Sequence, residues 1–537
     1  MSYTENHHSL LETKKQQALT QLEKMEEENV PINPNKYIDP SVDERETNEL
    51  KIIEMSEGYI TSPLIKALTQ ETPNLINSFA IFGVSPSTSP NTPTPQIQEL
   101  YKYPESYKFP LKAEQFIVPR NPTIIPLTNN DVFKEQPIRY ITILPGEIES
   151  VLCVCIQQNE FLNITSDLIN PTGLTTQLFS VKYYTQRTYC FTTTYPYFLA
   201  LFPLLHYIAE HSYRNKLEYF YSVVLRLTLL SPNVCLNPIK PSLEAFIHLI
   251  FRIPQKQSNP LSFTIENNKY TFARSSPPLP STPLSQSMSL VGDYSLIRLF
   301  CTMSVEEILN ILSVMLCGMG VILISENIST ATSCIFGFLA LFYPFTWPGI
   351  FIPYIPDELF EFYETPVPIL CSGKYPPYQC RVNAYVQELD QSYFSFFMSK
   401  ISRSFISLQP NGFTLPWRSE LLKKLTDCIN KYVPKRPTMY DREKFIEMMP
   451  AERVIEFSSE VMKIMNECLY RRLENSVVNF CTEMKECSLD NFIKQFPQKF
   501  NTVGALFMKK FVESQHFNVW WYQLGLNTLK IKSSSTK

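Results

Sequence analysis

Apolar positions between 300 and 390 switch repeatedly between helical and strand spacing. Ile308, Leu309, Ile311, Leu312, Met315 and Leu316 carry one face of a helix. Ser304-Val-Glu-Glu307 just ahead of them is a capping box, serving two orphan backbone donors at the helix start. Gly318 and Gly320 end that helix, and Val321-Ile-Leu-Ile324 follows as a continuous apolar strand of the kind covered on both faces. Ser329 or Thr330 is placed to cap a second helix running to about Phe342, where Pro344 stops it. Gly349–Ile352, Val367–Leu370 and Ala384–Leu389 read as further strands, and Asp357–Tyr363 as a short helix. Strands alternating with helices predict a parallel α/β layer.

The pattern differs on either side. Tyr140–Leu144, Val151–Ile156 and Leu178–Tyr183 are short runs rich in β-branched and aromatic residues, and Tyr195–His211 and Lys216–Leu230 have helical spacing. Together they predict an antiparallel sheet with helices packed on it. Beyond 413 the segments 415–432, 441–475 and 489–525 carry apolar stripes, such as Ile455, Met462, Met465, Leu469 and Leu473, and predict a helical C-terminal part. Residues 1–55 are polar with helical character, Leu11, Ala18, Leu22 and Met25 lying among Glu, Gln and Lys, and are expected to be partly disordered. Residues 84–98 and 275–289 are Ser/Thr/Pro-rich and read as a loop and an interdomain connection, and 526–537 as a disordered tail.

Composition narrows the class. The chain has 537 residues, 44% hydrophobic and 18% charged, which fits two to four folded units. With Lys+Arg 48 against Asp+Glu 51, no basic excess points to nucleic acid. Glycine is scarce at 13, and phosphate-cradling loops need it. The 13 cysteines show no C-x-x-C pair, and the N-terminus has no apolar core of a signal peptide. A reducing, cytoplasmic setting is expected. The apolar runs Ile311–Ile324 and Ala331–Tyr343 fall short of the roughly 20 residues a membrane span needs and read as buried elements.

Local chemistry is sparse. None of the six histidines sits in an H-E-x-x-H pair, and neither G-x-S-x-G nor G-x-x-x-x-G-K-[ST] occurs. Cys153 and Cys155 alternate along one strand and read as core rather than as a nucleophile. Glu306 and Glu307 complement a helix dipole. No catalytic residue, metal ligand or cofactor site is expected, and the residues alone lead to a cytosolic multidomain interaction protein.

Three linked motifs go further. Tyr343-Pro344-Phe345-x-Trp347, Ile352-Pro353-x-x-Pro356 and Pro366-Val-Pro368 follow one another within 26 residues, and Tyr195-Pro196-Tyr197-Phe198 stands at an aromatic-Pro-aromatic turn between a strand and a helix. In order and spacing these resemble the DENN domain family. Asn77–Gly83, Tyr103-Pro104, Phe116–Pro119 and Phe511-Val-x-x-x-His-Phe517 resemble its flanking modules. The chain departs from the family at Cys371, where glycine is usual, and at Glu388-Leu-Asp390, where a D-x-D-like pattern is usual.

The resemblance implies an α/β fold, α+β overall, in three parts: an upstream longin-like module over 75–185, a central three-layer α/β module over 186–375 and a mostly helical downstream module over 384–525. Tyr195, Pro196, Tyr343, Pro344, Trp347, Pro353, Pro356, Pro366 and Pro368 are signature residues expected to be mainly structural. Asp357, Glu358, Glu361, Glu364, Glu388 and Asp390, at strand ends and loops, are the candidate partner contacts. The implied function is guanine-nucleotide exchange on a Rab-family small GTPase in membrane traffic, without cofactor or transmembrane segment and compatible with peripheral recruitment to vesicle membranes. The alternatives are a GTPase-activating component resembling folliculin, which would need an exposed arginine such as Arg139 or Arg187, and a non-catalytic Rab-binding scaffold.

Overall fold

A computed structural model describes residues 76–85, 88–89, 91–126, 136–144, 151–161, 183–193, 196–212, 247, 250, 262–265, 268–271, 283–377, 384–390, 414–438, 441–484, 488–500 and 502–524. The helix expected over Lys216–Leu230, the segment 1–55 and the tail 526–537 lie outside these residues.

The N-terminal layer is an antiparallel sheet of six strands: β1 Ser78–Val84, β2 Ile97–Tyr103, β3 Ile125–Pro126, β4 Ile138–Leu144, β5 Val151–Phe161 and β6 Tyr183–Thr193. Their spatial order is β2-β1-β6-β5-β4, with β3 paired to β6. The third strand expected here begins where its predicted span ends. The run Tyr183–Thr193 alternates β-branched and aromatic residues with buried Thr185 and Arg187, so its polar content hid it. Thr92–Gln96 lie between β1 and β2 outside regular structure, as the Pro-rich composition implies, although Ile97 and Gln98 already belong to β2. A helix over 198–212 follows β6 directly, and Phe198, Leu201, Leu205 and Ile208 bury its inner face. A separate two-stranded hairpin joins β7 Ser262–Ile265 to β8 Asn268–Thr271.

The second layer is a parallel sheet: β9 Gly320–Ile324, β10 Ile350–Ile352, β11 Ile369–Gly373 and β12 Ala384–Glu388, in the order β10-β11-β9-β12. Every residue of β9 and β11 is buried, which accounts for the unbroken apolar run Val321–Ile324 of β9. The helix Pro283–Thr302 begins inside the stretch expected to be a connection. Proline suits a first helical turn, and the residues from Val291 onward are almost all buried. The helix Val305–Leu316 starts on the expected capping box, with Ser304 Oγ accepting from the Glu307 N–H at 3.2 Å and the Glu307 carboxylate accepting from the Ser304 N–H at 2.8 Å. Gly318 closes it at φ 75°, whereas Gly320 already belongs to β9.

The helix Ile328–Phe342 is capped by Asn327, not by Ser329 or Thr330: the Asn327 side chain accepts from the Thr330 N–H at 3.1 Å. Apart from Leu339 it is buried throughout, and it packs on β4, on β11 and on the helix Pro283–Thr302. It is the beam shared by both sheets. Gly337 permits the helix contact, since a Cβ there would stand 3.0 Å from the Leu299 side chain. The short helix expected over Asp357–Tyr363 is a 3-10 turn at Phe360–Glu364.

The C-terminal part is helical: Arg418–Tyr432, Arg442–Glu447, Ala451–Met465, Arg471–Glu483, Leu489–Gln495, Thr502–Val512 and Gln515–Gln523. Pro450, a π-turn at Asn466–Tyr470 and Ser514 divide what periodicity alone presents as longer helices. The whole is mixed α/β: an antiparallel sheet, then helices with a parallel sheet, then helices. Among the described residues no single helix is long and apolar enough to cross a membrane, and the two runs tested for it form buried core.

His516 locks the last helix to the α/β layer. Its Nε2 donates to the Leu316 carbonyl at 3.1 Å, and Phe342, Phe345 and Phe511 surround the ring at 5.0, 5.4 and 6.0 Å. Nδ1 is buried without a partner. Burial, opposed by the bond to Leu316, holds the imidazole down to about 3 from its ordinary 6.5. A depressed folded value means the unfolded chain takes the proton first. Stability is therefore complete above pH 6.5 and drains away as pH falls toward 3. Between pH 7 and 5 the loss should be about 2 kcal/mol. His516→Gln should lower stability at pH 7 yet remove that part of the slope, measured as urea midpoints at the two pH values. Equal slopes in both proteins would refute the assignment.

Candidate functional site

The carboxyl ends of β9, β10, β11 and β12 come to one edge of the parallel sheet, the place where open α/β sheets present their loops. Three connections leave it: Ser325–Asn327, Pro353–Glu364 and Lys374–Tyr375. The short helix Ala113–Ile117 of the N-terminal layer packs against them, its Phe116 and Ile117 sharing a core with Ile324, Ile328, Ile352, Tyr354 and Leu359.

Arg120 is the bolt of this seam. Its guanidinium donates to the Glu326 carbonyl and, at 2.9 Å, to Tyr354 Oη. The Asp357 N–H donates to the Pro119 carbonyl at 3.0 Å, and Gln115 Nε2 donates to the Glu358 carboxylate at 2.9 Å. Partial burial pushes the Asp357 carboxyl up, while Arg120 and Lys374 pull it back. Burial likewise raises the Tyr354 phenol.

Four of the six candidate contacts meet here. Asp357, Glu358, Glu361 and Glu364 are all exposed along one connection, so the loop carries a run of negative charge at the rim. The other two stand apart. Glu388 is half-buried at the end of β12. Asp390 is only 8% exposed: its carboxylate accepts from Ser325 Oγ and from the Glu326 N–H, both at 2.7 Å. It ties β12 to the β9 loop and is no solvated rim charge, as its place after a strand had suggested.

The signature residues pin this edge from beneath. Trp347 is 8% exposed, donates from Nε1 to the Ile350 carbonyl at 3.1 Å and meets Phe342 edge-on at 5.8 Å. Tyr343 ends the long buried helix, with Pro344 directly after it. Pro353 and Pro356 are buried, and their carbonyls accept from Ser372 Oγ and from the Leu359 N–H. The Pro368 carbonyl accepts from the Ile350 N–H at 3.1 Å, while Pro366 is exposed. Pro196 is buried just before the helix over 198–212, and Tyr195 lies outside the described residues. Sequence reasoning missed Arg120, Gln115 and Glu326. Pro119-Arg120 adjoins a motif that was read, but nothing local signals a partner more than 200 residues away.

Both arginines considered for a GTPase-activating role are paired with carboxylates, Arg187 in the core and Arg139 nearer the surface. Arg187 is 5% exposed and donates to the Glu160 carboxylate at 2.9 Å. Arg139 pairs with Glu447 at 2.5 Å. Cys153 and Cys155 are buried, their thiols pushed up by burial and their sulfurs 3.6 Å apart.

Comparison with known proteins places this architecture. A family model described as the DENN (AEX-3) domain matches residues 184–374. DENN domain-containing protein 1A of Homo sapiens is 22% identical over 185 residues, 34% of this chain and 15% of that protein. DENN domain-containing protein 1B of Homo sapiens is 33% identical over 92 residues, 17% of this chain and 11% of that protein. DENN domain-containing protein 2B of Mus musculus is 35% identical over 72 residues, 13% and 6% of the two chains. The matched segments span at most 15% of these relatives' own length. The match takes in nearly all of β6, the shared helix Ile328–Phe342, three of the four parallel strands and the acidic loop, so the likeness to the DENN domain lies over residues 184–374.

Proposed function

We propose that the protein is a guanine-nucleotide exchange factor for a Rab-family small GTPase, and that the GTPase docks on the seam at the carboxyl edge of the parallel sheet. The observation that carries this reading is the DENN match itself, which ends one residue past β11 and encloses the exposed loop Asp357–Glu364. Such a factor performs no bond chemistry. It binds the nucleotide-free GTPase better than the GDP-bound form, and linkage then requires nucleotide to weaken the complex by the same factor. Each 1.4 kcal/mol of that coupling is about tenfold in release. The Asp357–Glu364 loop supplies the charge, and Arg120 holds the loop in place from the neighbouring layer.

The test is GDP release across a panel of Rab proteins. We expect acceleration for at least one of them, a stable complex only after nucleotide is stripped, and dissolution of that complex by GDP or GTP. Asp357→Lys with Glu358→Lys should slow exchange tenfold or more. Glu358 gives up its bond from Gln115 and Asp357 its attraction to Arg120 and Lys374, so a loss of about 1–2 kcal/mol is expected, and thermal unfolding of the double variant is measured beside exchange to separate lost docking from lost folding. Tight binding to GTP-loaded Rab with no effect on release would make the protein a scaffold. Faster single-turnover GTP hydrolysis would make it a GTPase-activating component.

A further inference from the structure

The carboxyl edge of the parallel sheet holds an aromatic side chain that is not among the six candidate contacts. Of the seven large apolar side chains exposed among the described residues, Tyr375 alone stands on a connection leaving this edge, at 38% exposure. It follows β11, one of the two inner strands in the order β10-β11-β9-β12. Both flanking connections are tied to the end of that strand. The Ser325 N–H donates to the Gly373 carbonyl at 3.0 Å, and the Ile355 N–H donates to the Ser372 carbonyl at 2.8 Å. Tyr375 therefore emerges between the β9 loop at Glu326 and the acidic loop after β10.

The turn that carries it is held firmly. A Cβ at Gly373 would collide with Tyr363 Oη, so glycine lets β11 end against that buried ring. Tyr363 Oη then donates to the Tyr375 carbonyl at 3.2 Å. Pro376 and Pro377 follow, each with its own φ fixed by the ring. Lys374 Nζ stands 4.9 Å from the centre of the Tyr375 ring, and the same lysine attracts the Asp357 carboxylate. The ring, one cation and the acidic run are thus neighbours. A tyrosine on a turn already ordered loses little freedom when it docks.

We infer that Tyr375 is the anchor of the GTPase contact, entering an apolar recess on the partner that is bordered by lysine or arginine. This rests on the exchange-factor reading above. Binding energy concentrates where an aromatic side chain near the centre of an interface is surrounded by a polar rim that excludes water. The acidic loop supplies that rim. Its four exposed carboxylates set the sign of the partner's border, and charge complementarity excludes an acidic one.

The test is affinity for nucleotide-free Rab proteins across the panel, measured beside GDP release at low Rab concentration. Tyr375→Ala and Tyr375→Gln should each weaken affinity about thirtyfold or more, the loss expected of a central aromatic, and release should slow with it. Tyr375→Phe should stay within about threefold of the parent, because the ring is kept. Val367→Ala alters an apolar side chain of similar exposure, 42%, at the other end of β11, and should behave as the parent. The bond from Tyr363 goes to the Tyr375 backbone and survives each change, so thermal transitions should lie near the parent's, which separates lost docking from lost folding. Parent-like affinity of Tyr375→Ala and Tyr375→Gln for a Rab that the parent binds overturns the anchor and leaves the exchange reading intact. An equal loss in Val367→Ala also overturns the anchor. Binding that Tyr375→Ala weakens, without any acceleration of release by the parent, supports the anchor and overturns the exchange reading. A parent that binds no member of the panel overturns both.

Discussion

Glu160→Ala should destabilise the protein by about 3–5 kcal/mol, more than any surface change proposed above. Glu160 is 1% exposed near the end of β5, opposite Thr185 of β6. Its carboxylate accepts from Arg187 at 2.9 Å, from Gln158 at 3.1 Å and from Tyr189 Oη. Tyr189 also reaches Ser212 Oγ at 3.2 Å, and Gln158 reaches the Ala209 carbonyl at 3.1 Å, so the network fastens the helix over 198–212 to β5 and β6. Deleting the carboxylate leaves the Arg187 guanidinium charged and buried without its counter-ion. The size of the loss comes from that orphaned charge rather than from the worth of the pair. Glu160→Gln should cost less, because it keeps the acceptor oxygen. Replacing Glu160 and Arg187 together, as Glu160→Leu with Arg187→Met, should recover much of the stability. Urea unfolding of these proteins together with the single variants Glu160→Leu and Arg187→Met checks this. A double variant as unstable as the sum of its parts would show that the charge balance is not what matters.

Trp347→Ala should cost about 3–5 kcal/mol through a different mechanism, the cavity left by a large aromatic. The indole fills the corner between the end of the buried helix Ile328–Phe342 and β10, and its N–H holds the Ile350 carbonyl. Phe342 and Phe345 close the same corner against Trp520 and His516. Loss of the ring therefore loosens both the parallel sheet and the C-terminal helices. Trp347→Phe should recover about half of the loss, since it restores volume without the donor. Thermal unfolding of both variants decides the point, and a parent-like transition for Trp347→Ala would place the core elsewhere.

The legible parts of this molecule are those fixed by local chemistry. The capping box at Ser304 and the buried strand Val321–Ile324 could be read because every residue that defines them is adjacent in sequence. The cap of the following helix was misread because Asn327, Ser329 and Thr330 are all good capping residues, and only backbone geometry separates them. The beginning of β6 was missed for a related reason. Arg187 and Thr185 look like surface residues until a partner at Glu160 and a covering helix make burial tolerable. At the candidate site the four exposed carboxylates were found as a run, whereas Asp390 was read as exposed because its partner is 65 residues away. Arg120 has no local signature at all, since its role is created by the meeting of two sheets.

The central strand of the antiparallel sheet has a consequence for how the chain reaches its fold. β6 lies between β1 and β5, and the bond from Ser78 to Thr192 closes a loop of 114 residues. Until β6 has left the ribosome, β1 and β2 form a lone ribbon and β4 and β5 another, each with an unpaired edge. The sheet is thus completed late, by a strand that falls within the DENN match rather than in the segment before it. High contact order of this kind makes assembly slow and leaves open edges waiting for a partner. Cutting the chain at residue 184 would therefore not separate two folding units. It would leave the N-terminal piece without its middle strand and the C-terminal piece with a strand lacking both neighbours, and each fragment expressed alone should sediment as aggregate.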